Sequence, residues 1–307
     1  MKPENIQLFW DSLWQEYINR VNYAKIYQEM IVNAGGNVAN DHIAFRSLRL
    51  NININQTRIN LGIQLFEPIL NLLGYEAAGE YFFSETYLYA RHYKHPEQKK
   101  YDLPKLFISE LIVEELPDNI AAIITNTVSN GNFDYFTQFQ NNNQKTNHQI
   151  DNPDLILDTK KIFTRPWQIP YHTNIQTVNQ VSQYGAWVLL HGYAANHFTA
   201  YVNRQNTPKY TNIETTANGL ADLGIPMKAE IEGSMNLGLR QTATHAVNEQ
   251  VTVIDDKSGV EIQIPWTYAY YELAQRYMVE IESGKQELFD AFLGNNARQL
   301  FEMTRLN

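Results

Sequence analysis

Cysteine is missing from all 307 residues, so disulfides and thiolate metal sites are excluded. Positive charge is scarce as well: 24 Lys and Arg stand against 33 Asp and Glu, a formal net charge of −9. Global attraction to nucleic acid or to an anionic membrane is thereby excluded, and an anionic substrate needs a local cation. No apolar run approaches the roughly 18 residues of a membrane span. The first residues, MKPENIQLFWDSLWQEY, lack a basic n-region and a small-residue cleavage site, and read as an amphipathic helix. The expectation is a cytoplasmic protein.

Hydrophobic residues make up 44%, ordinary for a folded chain. Ile6, Phe9, Leu13, Tyr17 and Val21 recur at helical spacing, predicting a helix over 4–33 that stops at Gly35-Gly36. The strand HIAFRSL follows, then a predicted helix over 58–73 with an internal Pro68. YFFSETYLYARHY and PKLFISELIVEEL read as strands, and Asp118 opens another helix. An Asn- and Gln-rich stretch over 138–154 reads as a surface excursion. Beyond it the same kinds of element recur: helix, strand, helix, several strands, and a closing helix over 286–303. That order predicts a single α+β domain over 1–307. It is built as two βαβββ modules in a curved mixed sheet with flanking helices. Residues 1–137 form one half, 138–170 a connecting excursion, and 171–307 the other half.

The chemistry sits in three stretches. In NDHIAFRSL (40–48), a strand puts His42, Ala44 and Arg46 on one face and Ile43 and Phe45 on the other. In HGYAANHFTAY, Ala195, His197 and Thr199 share a face. In YAYYELAQR, Glu272 lies among Tyr and Leu, where a carboxylate must be paired, protonated or metal-bound. Two histidines and a carboxylate from distant strands match the facial triad of non-haem Fe(II) oxygenases, although solvated strand faces would give the same pattern. Glu261, eleven positions upstream, is the competing carboxylate; its neighbours Ile262 and Ile264 suit a structural face.

YYELAQR with the following ELFDAFLGNNARQLFE resembles the C-terminal segment of 4-hydroxyphenylpyruvate dioxygenase, of the vicinal oxygen chelate superfamily. More closely, NDHIAFRSL, PKLFISELIVEEL, HGYAANHFT and LRQTATHAV together resemble the 2-oxoadipate dioxygenase/decarboxylase family, over roughly residues 40–290. The resemblance implies a vicinal oxygen chelate-like fold. It implies Fe(II) held by His42, His197 and Glu272, and Arg46 on the substrate carboxylate. It further implies a 2-oxo dicarboxylic acid and dioxygen as substrates, with 2-oxoadipate giving 2-hydroxyglutarate and CO2.

Gln241 and Thr242 are candidate substrate contacts. His92 and His95 read as surface residues, His191 as a helix-end residue and His148 as solvated. His245 is expected on a strand face with Gln241 and Ala243. Two other classes stay open. One is hydrolytic or glyoxalase-like chemistry with Zn, Ni or Mn on the same ligands; the other is a non-catalytic binder of small acids. The oligomeric state is not readable.

Overall fold

The computed structural model describes residues 1–54, 56–136, 159–282, 284–293 and 304. Helix α1 (Pro3–Arg20) buries Ile6, Phe9, Trp10, Leu13, Trp14 and Tyr17, the stripe that a 3.6-residue period dictates. The helix expected over 4–33 is two. Val21 leaves the helical region at φ −108° and ψ 83°, and α2 (Asn22–Asn33) restarts after it. Strand β1 (Asn40–Arg49) follows, then a hairpin of β2 (Asn51–Ile54) and β3 (Thr57–Asn60). The helix expected from residue 58 is therefore wrong in its first half. Ile59 is buried opposite Ile52 in the hairpin, and helix α3 spans only Glu67–Leu72. Pro68 lies in its first turn, where a missing N–H costs nothing.

The first half continues with β4 (Glu76–Phe83), β5 (Leu88–Lys94), α4 (Gln98–Tyr101), β6 (Lys105–Ile112) and α5 (Asp118–Val128). The excursion at 138–154 and His148 lie outside the described residues. The second half carries α6 (His172–Val181), α7 (Gln183–His191), β7 (Ala195–Tyr201), α8 (Ile213–Asp222), β8 (Glu232–Ser234) and β9 (Leu239–Ala243). A hairpin of β10 (Asn248–Ile254) and β11 (Glu261–Thr267) precedes β12 (Tyr270–Arg276). A last hairpin joins β13 (Met278–Glu282) to β14 (Lys285–Leu288). Residues 286–288 are thus strand, not the start of a closing helix, because they pair across the turn at Gly284. Residues 294–303 of that expected helix lie outside the described residues.

Among the described residues, eight strands form one mixed sheet in the order β4-β5-β6-β1-β7-β12-β9-β8. Its left half is β1-α3-β4-β5-β6 and its right half β7-α8-β8-β9-β12, so each is a βαβββ module; the β10–β11 hairpin is an insertion in the second. The modules meet where β1 and β7 pair antiparallel, and each of those strands runs parallel to its own module's last strand, β6 or β12. His42 lies opposite Thr199 and Ala44 opposite His197, so a local two-fold exchanges the two histidines. The same operation puts Phe107, opposite Ala44, where the second module has Glu272, opposite Thr199. The pseudo-symmetric frame therefore carries one carboxylate rather than two.

Alternation along β1 fixes the faces. Phe45 turns towards the helices and packs 4.6 Å from Phe163 and 6.5 Å from Trp10, ring to ring. His42, Ala44 and Arg46 line a cavity on the other face.

Gly192 sets the approach of β7. It takes φ +63°, and a Cβ there would lie 2.4 Å from Arg165 Cα. Gly192→Ala should destabilise the protein by about 2–5 kcal/mol, from backbone strain plus overpacking. Denaturant melts read this, and an unchanged midpoint would contradict it.

Candidate metal centre

His42, His197 and Glu272 each offer a ligand atom, and these atoms lie within 4.8 Å of one another. His42 Nε2 is 3.6 Å from Glu272 Oε1, and His197 Nε2 is 3.5 Å from Glu272 Oε2. Neighbours on the chain fix both rings. Burial alone would raise the Asp41 carboxyl, but Arg276 and Lys105 beside it hold it well below the usual range. Asp41 is therefore ionised, and His42 Nδ1 must donate to its Oδ2 (2.9 Å). His197 Nδ1 donates to Asn196 Oδ1 (3.1 Å), and Tyr270 stacks on the ring at 4.7 Å. Both Nε2 atoms are left with lone pairs. Thr199 Oγ1 donates to that of His42 (3.0 Å). Burial lowers both histidines, so both are neutral near pH 7.

Two imidazole lone pairs thus converge on a carboxylate. Gln241 Nε2 donates to Glu272 Oε1 (2.5 Å), while Oε2 is buried with no hydrogen bond. An orphaned carboxylate oxygen facing a nitrogen lone pair is unfavourable unless a proton or a cation stands between them. The donor set, two neutral imidazoles and one carboxylate, fits a divalent first-row ion.

The cost of gathering these groups falls on Glu272. Burial pushes its carboxyl up to about 8, from an ordinary 4.5. The metal-free protein is therefore protonated there at neutrality, and a metal must displace that proton. The histidines titrate below 6.5 and do not compete above it. Affinity for Zn(II) or Mn(II) should thus fall about tenfold per pH unit from 8 down to 6.5. Calorimetric titration in buffers of different ionisation enthalpy reads the affinity and the proton released. A flat profile over that range would contradict the assignment.

Arg46 and Gln241 line the same cavity, with Ala44, Phe107, Ser109, Phe292 and Leu293. The Arg46 guanidinium is buried, 4.8 Å from the ring of Tyr184 and 5.0 Å from that of Trp187. Thr242 turns the other way along β9, and its hydroxyl donates to the carbonyl of Glu230 (3.0 Å). A substrate contact from Thr242 has no geometry behind it. Glu261 is exposed at the start of β11, far from such a role.

The remaining histidines depart from expectation in part. His92 and His95 are buried, not on the surface. His92 Nδ1 meets the Tyr81 hydroxyl (2.9 Å), and burial pushes His92 down to about 4. His95 Nδ1 accepts the N–H of Glu97 (3.1 Å). His245 is exposed just beyond β9 rather than on its face, because the strand ends at Ala243. His191 closes α7, with Nε2 3.1 Å from the carbonyl of Thr267.

A family model described as 2-oxoadipate dioxygenase/decarboxylase matches residues 14–305. A rice protein (Oryza sativa subsp. japonica) named 2-oxoadipate dioxygenase/decarboxylase, chloroplastic/amyloplastic, is 26% identical over 306 residues, covering 94% of this chain and 75% of that protein. Among solved structures, hydroxyglutarate synthase from Oryza sativa in complex with 2-oxoadipate superposes with a TM-score of 0.76 at 22% identity, over 99% of this chain and 94% of that one. A glyoxalase superfamily protein from Ralstonia eutropha JMP134 gives a TM-score of 0.76 at 23% identity, over 89% of this chain and 83% of that one.

Proposed function

The chain belongs to the 2-oxoadipate dioxygenase/decarboxylase family, and from that premise we propose that it converts a 2-oxo dicarboxylic acid of the 2-oxoadipate type, with dioxygen, to the shortened 2-hydroxy diacid and CO2. The observation that carries this reading is the Glu272 carboxylate between two imidazole lone pairs, its Oε2 orphaned against His197, with Arg46 in the same cavity. His42, His197 and Glu272 would hold Fe(II), with Zn, Ni or Mn as possible substitutes in purified protein. Iron held there would supply the electron that ground-state dioxygen needs to react with a 2-oxo acid.

The chain's own residues do the rest. A metal held by three protein ligands would remain open to a 2-oxo acid and to dioxygen. Gln241 holds Glu272 in one orientation through Oε1. Arg46 lies four residues along β1 from His42, about 13 Å by the usual strand rise, and its charge acts on the His197 ring. Its planar fork suits the distal carboxylate of a diacid. Tyr184 and Trp187 beneath the guanidinium hold it in place. Phe107, Phe292 and Leu293 make the wall apolar and keep bulk water from the reacting centre.

Among the described residues no helix is long and apolar enough to cross a membrane. The cytoplasmic setting is part of the proposal. The test is an oxygen-electrode screen of 2-oxo acids of four to six carbons, after loading with Fe(II), Zn(II), Ni(II) or Mn(II). Oxygen uptake with Fe(II) and the longest diacid supports the reading. Turnover without oxygen uptake would assign the site to hydrolytic or isomerising chemistry, and binding without turnover to an acid-binding protein.

A further inference from the structure

One buried ion pair behind the site has no part in the scheme above. Both oxygens of Asp41 are forked by Arg276, Nε to Oδ1 at 2.6 Å and Nη2 to Oδ2 at 2.7 Å. That Oδ2 is the acceptor of His42 Nδ1. The remaining guanidinium nitrogen, Nη1, turns to the segment after β14 and donates to the carbonyls of Phe289 (3.2 Å) and Ala291 (2.8 Å). Between them, Asp290 takes Lys105 Nζ at 2.8 Å and Lys94 Nζ at 2.9 Å. Phe292 follows. Its N–H donates to the Tyr81 hydroxyl (3.3 Å), and its ring lies 4.8 Å from that of His42 and 5.0 Å from that of Phe107.

Residues 289–293 therefore form a strap along one wall of the cavity, and one guanidinium carries both the strap backbone and the carboxylate that orients His42. The cavity under the strap is partly open and gives about 30 Å³ of water-accessible space, room for one or two waters. A six-carbon diacid needs more room than that, and a shift of the strap, whose Phe292 and Leu293 line the cavity, would supply it. Lifting it takes both carbonyl acceptors from a fully buried arginine and frees that arginine to shift against Asp41.

We propose that Arg276 is a positioning residue that couples closure of the 289–293 strap to the orientation of His42, so that an ordered metal site holds the strap down and a closed strap tightens the metal site. The proposal rests on the metal-site reading above. Coupling of this kind is reciprocal, and each direction can be measured.

The experiment is amide hydrogen exchange of residues 289–293 with and without Zn(II), together with Zn(II) affinity by chelator competition. In the wild type, Zn(II) should slow exchange of the Phe289 and Phe292 amides at least about tenfold. Arg276→Lys keeps the charge and loses the fork; its Zn(II) affinity should drop about 10- to 100-fold, as for other partners behind a ligand, and Zn(II) should no longer slow the strap. Asp290→Asn loosens the strap from outside and touches none of the three candidate ligands. It should speed strap exchange and weaken Zn(II) binding several-fold, which keeps the test decisive even if Arg276→Lys misfolds. If wild-type strap exchange is the same with and without bound Zn(II), or if Asp290→Asn frees the strap at unchanged affinity, the coupling is absent. If the wild type binds no Zn(II), the metal-site reading falls and takes the coupling with it.

Discussion

Glu272→Gln should leave the fold standing and remove the metal. The metal-free carboxyl, pushed up to about 8, is already protonated at neutrality, so a neutral isostere costs little. An amide nitrogen in the place of Oε2 would face the His197 Nε2 lone pair, 3.5 Å from that position, and satisfy an atom that is now orphaned. The melting temperature should therefore hold or rise. The charge that draws a divalent ion is gone, however, and affinity should fall by more than the 10- to 100-fold typical of losing a partner behind a ligand. Oxygen uptake should fall with it. Glu261→Gln, on the exposed start of β11, is the control and should change nothing. Metal content, melting temperature and oxygen uptake on the two variants read all of this. A Glu272→Gln protein with full metal and full activity would move the site elsewhere.

Arg46→Ala should separate substrates by their far end. On a 2-oxo diacid, loss of a charge-assisted fork should cost about 2–5 kcal/mol of binding, roughly 30- to 4,000-fold. On a 2-oxo monoacid of similar length, activity should change little, since no distal carboxylate is present to lose its partner. Arg46→Lys should recover only part of the diacid activity, because a point charge does not reproduce the fork. Metal content should match the wild type in both variants. Steady-state oxygen uptake on both acids checks these outcomes. Equal losses on diacid and monoacid would make Arg46 a support for the fold, held between Tyr184 and Trp187.

The site could be read from the sequence where one period governs one face. His42, Ala44 and Arg46 lie two apart, and β1 does turn all three into the cavity. Glu272 stood out because a carboxylate among Tyr and Leu demands a reason, and it is fully buried. The same alternation ruled the other way for Thr242, one residue out of phase with Gln241. Elements failed where short-range pairing beats helical propensity. Thr57–Asn60 finds a hairpin partner in β2, and Lys285–Leu288 finds one in β13. His92 and His95 read as surface residues because, three apart, they would face opposite sides of a strand, and only tertiary packing buries both. The Asp41–Arg276 pair joins residues 235 apart, beyond any local pattern. Its signal was nonetheless present: Arg276 lies four residues after Glu272 on the same strand face, and a cation on a buried strand requires a partner.

The most direct measurement is mass spectrometry of the product formed by the Fe(II)-loaded protein from 2-oxoadipate under heavy-isotope dioxygen. The account predicts 2-hydroxyglutarate carrying two heavy oxygens, one in the new carboxylate and one in the hydroxyl, with one CO2 released for each dioxygen consumed. Product without heavy oxygen, or turnover that proceeds equally under argon, would contradict it.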